Sequence, residues 1–253
     1  MLSQLAKADS IQGGKYRYHD DFVLNRIERS LQEQAAARVS IAGLPRIART
    51  QSMLYAAQIN SKALRRVAPF VPDKAPKNRL SQQVDIALAA FKGGVCVSAN
   101  LDFRGFDSHA NNDPDQMTLI PQLLEAIDYL VRKAEDLKIR EKLVIVMQSE
   151  MGRTPSYNKG NGKDHWSVGS LMFMGRGIRG NRVVGSTTDK QLVVPLNPKS
   201  LATDKKKGIH IRPEHIHDAL RQLAGINSHA FSKQFPLNIP KQESLHPLWT
   251  VKT

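Results

Sequence analysis

The chain has almost no cysteine. Cys96 is the single thiol among 253 residues, so no intramolecular disulfide can form and no thiolate metal cluster can assemble. No apolar run approaches the roughly 18 consecutive residues of a membrane span, so no membrane span is expected. The opening segment MLSQLAKADSIQGGKYRYHDD lacks the apolar stretch of a secretory signal peptide. Aromatic residues are scarce at 6% and no recognised nucleic-acid motif is present, which disfavours nucleic acid as a partner. Acidic residues are also few. Against 37 Lys and Arg stand 23 Asp and Glu, a formal charge of +14 and a pI near 10.0.

What is there suffices for a packed core. With 41% hydrophobic and 24% charged residues the chain is not wholly disordered, and its length suits one large domain or two small ones. The positive excess is uneven: residues 1–100 hold 15 basic side chains against 7 acidic, and 26–79 alone hold 11 against 3. Polyanion binding through counterion release is one reading of that excess, and solvated basic helix faces are the other. Lys205-Lys206-Lys207 falls in a polar stretch and reads as a solvated loop.

Hydrophobic spacing predicts helices over 20–39, where Val23, Ile27 and Leu31 recur every four residues, and over 47–67. A third, over 78–91, turns Leu80, Val84, Ile86, Leu88 and Phe91 toward a core and stops at Gly93-Gly94. Val95-Cys96-Val97, within 94–100, reads as a short buried strand. The strongest helix spans 117–137, and 143–147 is a second buried strand. Strand, helix, strand describes a βαβ crossover, which implies parallel pairing. Leu171–Met174 and 182–184 read as further strands, and Pro213 opens a last helix that Gly225 stops. The expected class is α/β, with a helical N-terminal region over 1–93 and an α/β core over 94–253 in the same domain.

In an open parallel sheet, ligands bind beyond the carboxyl ends of the strands. The acidic and histidine residues gather in those loops. LDFRGFDSHANN brings Asp107 and His109, QSEMGRTPSYN brings Glu150 and Arg153, and NGKDHWSVGS brings Asp164 and His165. Carboxylate oxygen with imidazole nitrogen suits zinc, manganese or iron. Without a cation, three buried carboxylates would raise one another's pKa. Arg153 would hold an anionic substrate group in a bidentate fork. Taken singly, Glu150 could cap a turn and Asp164 could orient His165 without a metal. His215 and His217 lie two apart on a helix and face different ways, which fits surface or capping roles. Gly175-Arg176-Gly177 and Gly180 lack the full dinucleotide fingerprint.

FDSHANN, SEMGRTPSYN, GKDHW and MGRGIRGNRVVGSTTD, in that order across roughly 95–225, resemble the successive signatures of the bacterial family called domain of unknown function 1501. That family is similar to the alkaline phosphatase and sulfatase superfamily. The resemblance implies an alkaline-phosphatase-like three-layer sandwich with a mainly parallel sheet. It implies that Asp107, His109, Asp164 and His165 ligate a divalent transition metal, zinc first, with manganese or iron as alternatives. Glu150 would be a further ligand or an anchor behind the ligands, and Arg153 the catalytic anion clamp. The implied activity is metal-dependent hydrolysis of phosphate or sulfate esters, on an anionic small molecule or a polysaccharide ester. Family members typically carry a twin-arginine export signal, and none is visible in this sequence. Met151 stands where the family usually has Phe, and Lys163 where small or arginine residues are common. Superfamily enzymes take a Ser, Thr or modified Cys nucleophile from an N-terminal strand and its loop, whereas residues 1–94 read as helices and connections. The resemblance therefore implies the C-terminal portion of a longer member, with an incomplete site. The alternative is a non-catalytic module using its basic surface for a polyanion or a protein partner.

Overall fold

The structure, a computed structural model, describes residues 63–248 together with Arg26, Arg29, Ser30, Glu33, Gln34 and Ala37. Those six are helical and exposed; the rest of the helix expected over 20–39 lies outside the described residues. So does the helix expected over 47–67, apart from 63–67, which are helical. The chain divides into two compact units, one of Met1–Phe103 with Gln122–Lys138, the other of Arg104–Pro121 with Ile139–Thr253.

In the first unit, α1 spans Arg79–Lys92. Asn78 caps it, its Oδ1 accepting the N–H groups of Leu80 at 2.9 Å and Ser81 at 3.4 Å. Leu80, Val84, Ala87 and Leu88 form its buried stripe, and Gly94 ends the turn at φ +65°. Ile86, expected inward, is exposed, because two residues from Val84 and from Leu88 it falls on the opposite side of the helix. The long helix α2, Asn112–Asp136, gives its second half to this unit. There Tyr129 donates to the buried Asp85 of α1 at 2.7 Å. That bond and desolvation push the Tyr129 hydroxyl up to about 12, burial being the larger cause.

α2 begins five residues before the apolar stripe suggested. Its first turn, Asn-Asp-Pro-Asp, is polar, but Asp113 and Asp115 suit the positive end of a helix dipole and Pro114 is tolerated there. Pro121, where the units divide, lacks the N–H that would reach back one turn.

Among the described residues, the second unit holds six strands. β1 (Val144–Gln148) pairs with β4 (Leu171–Gly175), β2 (Gly152–Arg153) with β3 (His165–Trp166), and β5 (Ser186–Thr187) with β6 (Val193–Val194). Every pair is antiparallel. Helix α3, Pro213–Leu223, presents Ile216, Ala219, Leu220 and Leu223 at helical spacing to a core that includes Leu196, Leu201, Leu245 and Leu248. A short helix α4, Ala230–Gln234, follows. His215 is buried in the first turn of α3 and does cap it: Nδ1 accepts the Arg212 N–H at 3.0 Å, so Nε2 carries the proton and donates to Glu243 at 2.9 Å.

This overturns the expected three-layer sandwich with a mainly parallel sheet: the described residues form helices and three separate two-stranded antiparallel sheets. The segment 95–97 makes no strand, and Val97 is 99% exposed. A three-residue apolar run carries no periodicity that distinguishes a strand from a loop. Without it there is no βαβ unit, and β1 takes its partner from the chain downstream. Residues 182–184 also form no strand; the ladder starts two residues later at Ser186. No helix among the described residues is long and apolar enough to cross a membrane. The new assignment of core and surface predicts that Leu196→Ala, at 0% exposure, lowers stability by about 3 kcal/mol in a thermal melt. Val97→Ser should change it by less than about 0.5 kcal/mol.

Candidate functional site

The segment ahead of α2 exposes Asp107 and His109 and buries Ser108 between them. Ser108 is the anchor. Its Oγ donates to Asn112 Oδ1 at 2.9 Å and accepts from Gln116 Nε2 at 3.0 Å, so the first turns of α2 hold the segment.

Antiparallel pairing of β2 with β3 sets Arg153 directly opposite His165. Opposed residues project from one face, so a two-residue ladder fixes these side chains as neighbours. Asp164, one residue earlier, falls on the other face by strand alternation, and its Oδ1 accepts from Asn158 Nδ2 at 3.0 Å.

The connection between β2 and β3 is stitched to the 108–112 segment. Ala110 and Asn161 form an isolated bridge, the Asn112 N–H donates to Asn161 O at 2.9 Å, and the Lys163 N–H donates to Ser108 O at 3.0 Å. Asn158 is the centre of the turn. Its Oδ1 accepts the N–H groups of Gly160 and Gly162 at 2.9 and 3.0 Å, while Nδ2 donates to His109 O at 2.9 Å. Gly162 packs so closely that a Cβ there would lie 1.9 Å from the His109 carbonyl carbon. Tyr157 donates to Asp113 at 2.8 Å, with Lys163 Nζ 4.8 Å from its ring centre.

These restraints converge on Asp107. Its Oδ1 lies 3.0 Å from His165 Nε2 and 3.3 Å from His109 Nδ1, and it accepts a short hydrogen bond from Arg153 Nη2. Arg153 Nη1 donates to Lys163 O at 3.1 Å. The two imidazoles meet edge to face, centroids 4.8 Å apart. The hydrogen bond from Arg153, then that from His165, hold the Asp107 carboxyl below its ordinary 3.8, at about 2. It is therefore ionised throughout the neutral range.

Four of the six residues singled out in the sequence thus meet: Asp107, His109, Arg153 and His165. The ligand atoms of Asp107, His109 and His165 lie within 4.8 Å of one another, a group that could hold a metal ion if the rings drew together. Two ligands about 2.1 Å from a tetrahedral ion sit about 3.4 Å apart, close to the distances from Asp107 to each ring. Glu150 and Asp164 fall outside that group; Glu150 is exposed and accepts from Ser149 Oγ at 3.3 Å.

The family model described as protein of unknown function (DUF1501) matches residues 25–230. The chain belongs to that family. No curated protein and no solved structure matches it. Within this DUF1501 chain, the positioning residues Ser108, Asn158 and Gly162 were not singled out in the sequence. The run Asn158-Lys159-Gly160-Asn161-Gly162 carried a usable signal, since Asn and Gly are the residues that take left-handed turn positions, as Asn161 does at φ +54°.

The folded value for Asp107 lies below the unfolded one. Whatever stability its pairing adds is full above pH 3.8 and is lost as pH falls through about 2. A carbon-detected NMR titration should find the Asp107 midpoint at about 2, and Arg153→Gln should move it up toward 3.8.

Proposed function

We propose that this protein is a metal-dependent hydrolase of phosphate or sulfate esters, with Asp107, His109 and His165 as metal ligands and Arg153 as the anion-holding catalytic group. The convergence of one carboxylate and two imidazoles beside an arginine is the observation that carries the reading. The donor set fits zinc, with manganese or iron as alternatives. Bound there, the metal would supply Lewis-acid polarisation of an ester oxygen. The chain's own groups do the rest. Asp107 stays charged, and the hydrogen bond from Arg153 fixes which way the carboxylate faces. Arg153 offers a planar fork matched to two oxygens of a phosphate or sulfate group, and its bond to Lys163 O sets its direction. Kinship with the alkaline phosphatase and sulfatase superfamily belongs to this proposal. The order of the four motifs supports it only through the DUF1501 family, and the antiparallel strand pairs do not support it.

A second reading is favoured by one feature of the same site. Arg153 already neutralises Asp107, so the cluster is electrically closed as it stands, as a binding module without a metal would require. Elemental analysis of the purified protein separates the two. The hydrolase reading expects stoichiometric transition metal, most of it lost in His165→Ala, with chelation lowering the melting temperature and abolishing hydrolysis of nitrophenyl phosphate or sulfate. Metal-free protein whose melting temperature a chelator leaves unchanged would remove the hydrolase reading.

A further inference from the structure

Asp107 Oδ1 accepts from Arg153 Nη2, and it is the same oxygen that His165 Nε2 and His109 Nδ1 approach at 3.0 and 3.3 Å. Three nitrogen atoms therefore crowd the one carboxylate oxygen that faces both rings. The imidazoles can give way to a cation. A ring nitrogen that ligates presents a lone pair, and the hydrogen is carried by the other ring nitrogen. A guanidinium cannot make that exchange, because it has no lone pair to offer and keeps its charge. Arg153 thus contests Asp107 Oδ1 with any cation that both rings could reach.

The setting of Arg153 fixes how it would yield. Its side chain is only 21% exposed, and Nη1 donates to Lys163 O at 3.1 Å. Nη2 is the arm that reaches the exposed Asp107. A turn about the Nη1 anchor carries Nη2 off the carboxylate and keeps the guanidinium at the edge of the cluster. Glu150 and Asp164 stand outside the group, so Asp107 is its one carboxylate. An oxyanion is the ligand that can draw the guanidinium away, since it offers oxygens to the same fork.

We propose that Arg153 couples two ligands at this site. It opposes a divalent cation while it holds Asp107, and an oxyanion that takes it over lets the cation bind more tightly. The inference rests on the metal-site part of the hydrolase reading and adds to it that cation and anion bind with positive cooperativity. Linkage then requires the cation to raise the anion's affinity by the same factor. Repulsion between a divalent cation and a guanidinium a few ångströms apart amounts to about tenfold in affinity even in water.

The test measures zinc affinity of the full-length protein at neutral pH, by competition with a chelating dye, with and without inorganic phosphate. Saturating phosphate should tighten zinc binding by the parent about tenfold. Without phosphate, Arg153→Gln should bind zinc about tenfold more tightly than the parent, and phosphate should then add less than about twofold. Arg153→Lys keeps the charge and should stay near the parent, a distinction that a merely structural role would not draw. His165→Ala should lose zinc under both conditions, which places the binding at this cluster. Zinc affinity equal or weaker in Arg153→Gln overturns the proposal and leaves the metal site standing. If a melt shows that Arg153→Gln does not fold, the parent decides alone, and zinc affinity unmoved by phosphate overturns the proposal. No zinc bound by the parent or by Arg153→Gln overturns the metal site and the coupling together. Coupled binding without any ester hydrolysis supports the proposal and removes the hydrolase reading.

Discussion

Asp107 Oδ1 is where three stretches of chain meet, bringing Arg153, His109 and His165 to a single oxygen atom. Its carboxylate is 63% exposed, so the attraction works in water and holds little by itself. An exposed charge cluster of this kind cannot be what orders the loops around it. The order must come from groups that lose water on folding. Here these are the buried Ser108 with its two side-chain partners and the backbone bonds between 108–112 and 160–163. The electrostatics are therefore a consequence of the backbone stitching.

Asn158 shows how few side chains this requires. One amide satisfies two N–H groups of its own turn and one carbonyl of the opposite segment, and it also engages Asp164. Gly162 then lets the two backbones touch where any Cβ would force them apart. The β2–β3 ladder contributes the other half, because pairing Arg153 with His165 fixes both rotational sense and side. Asp164, a residue of ligand chemistry adjacent to His165, is excluded from the cluster by the same alternation.

Part of the candidate site was legible because it is written in types: the motifs supplied Asp107, His109, Arg153 and His165, whereas Glu150 and Asp164, of the same ligand chemistry, lie outside the group. The helices α1 and α3 were legible too, since cap, stripe and stop agree at Asn78 and Gly94, and at Pro213 and Gly225. The sheet was not. Strand pairing is a long-range choice, and runs such as 95–97 or 143–147 are apolar without saying which partner or direction they take. Reading 95–97 as a strand created a βαβ unit and hence a parallel sheet. The site gathers nonetheless, through a different device: a short antiparallel pair folded onto the loop before α2, with no row of strand ends to line it.

Charge counting tightens what such a site can hold. Asp107 and Arg153 cancel, and imidazoles that ligate a metal are neutral, so the cluster alone carries no net charge. A divalent cation held there would leave two positive charges uncompensated among the protein groups. Because Arg153 shares the oxygen that faces both rings, the guanidinium and the cation would be near neighbours and would repel. A phosphate monoester, doubly charged at neutral pH, relieves that repulsion more fully than a singly charged sulfate monoester. On this count the proposed hydrolase would favour a phosphate over a sulfate ester, because Asp107 already offsets the charge of Arg153.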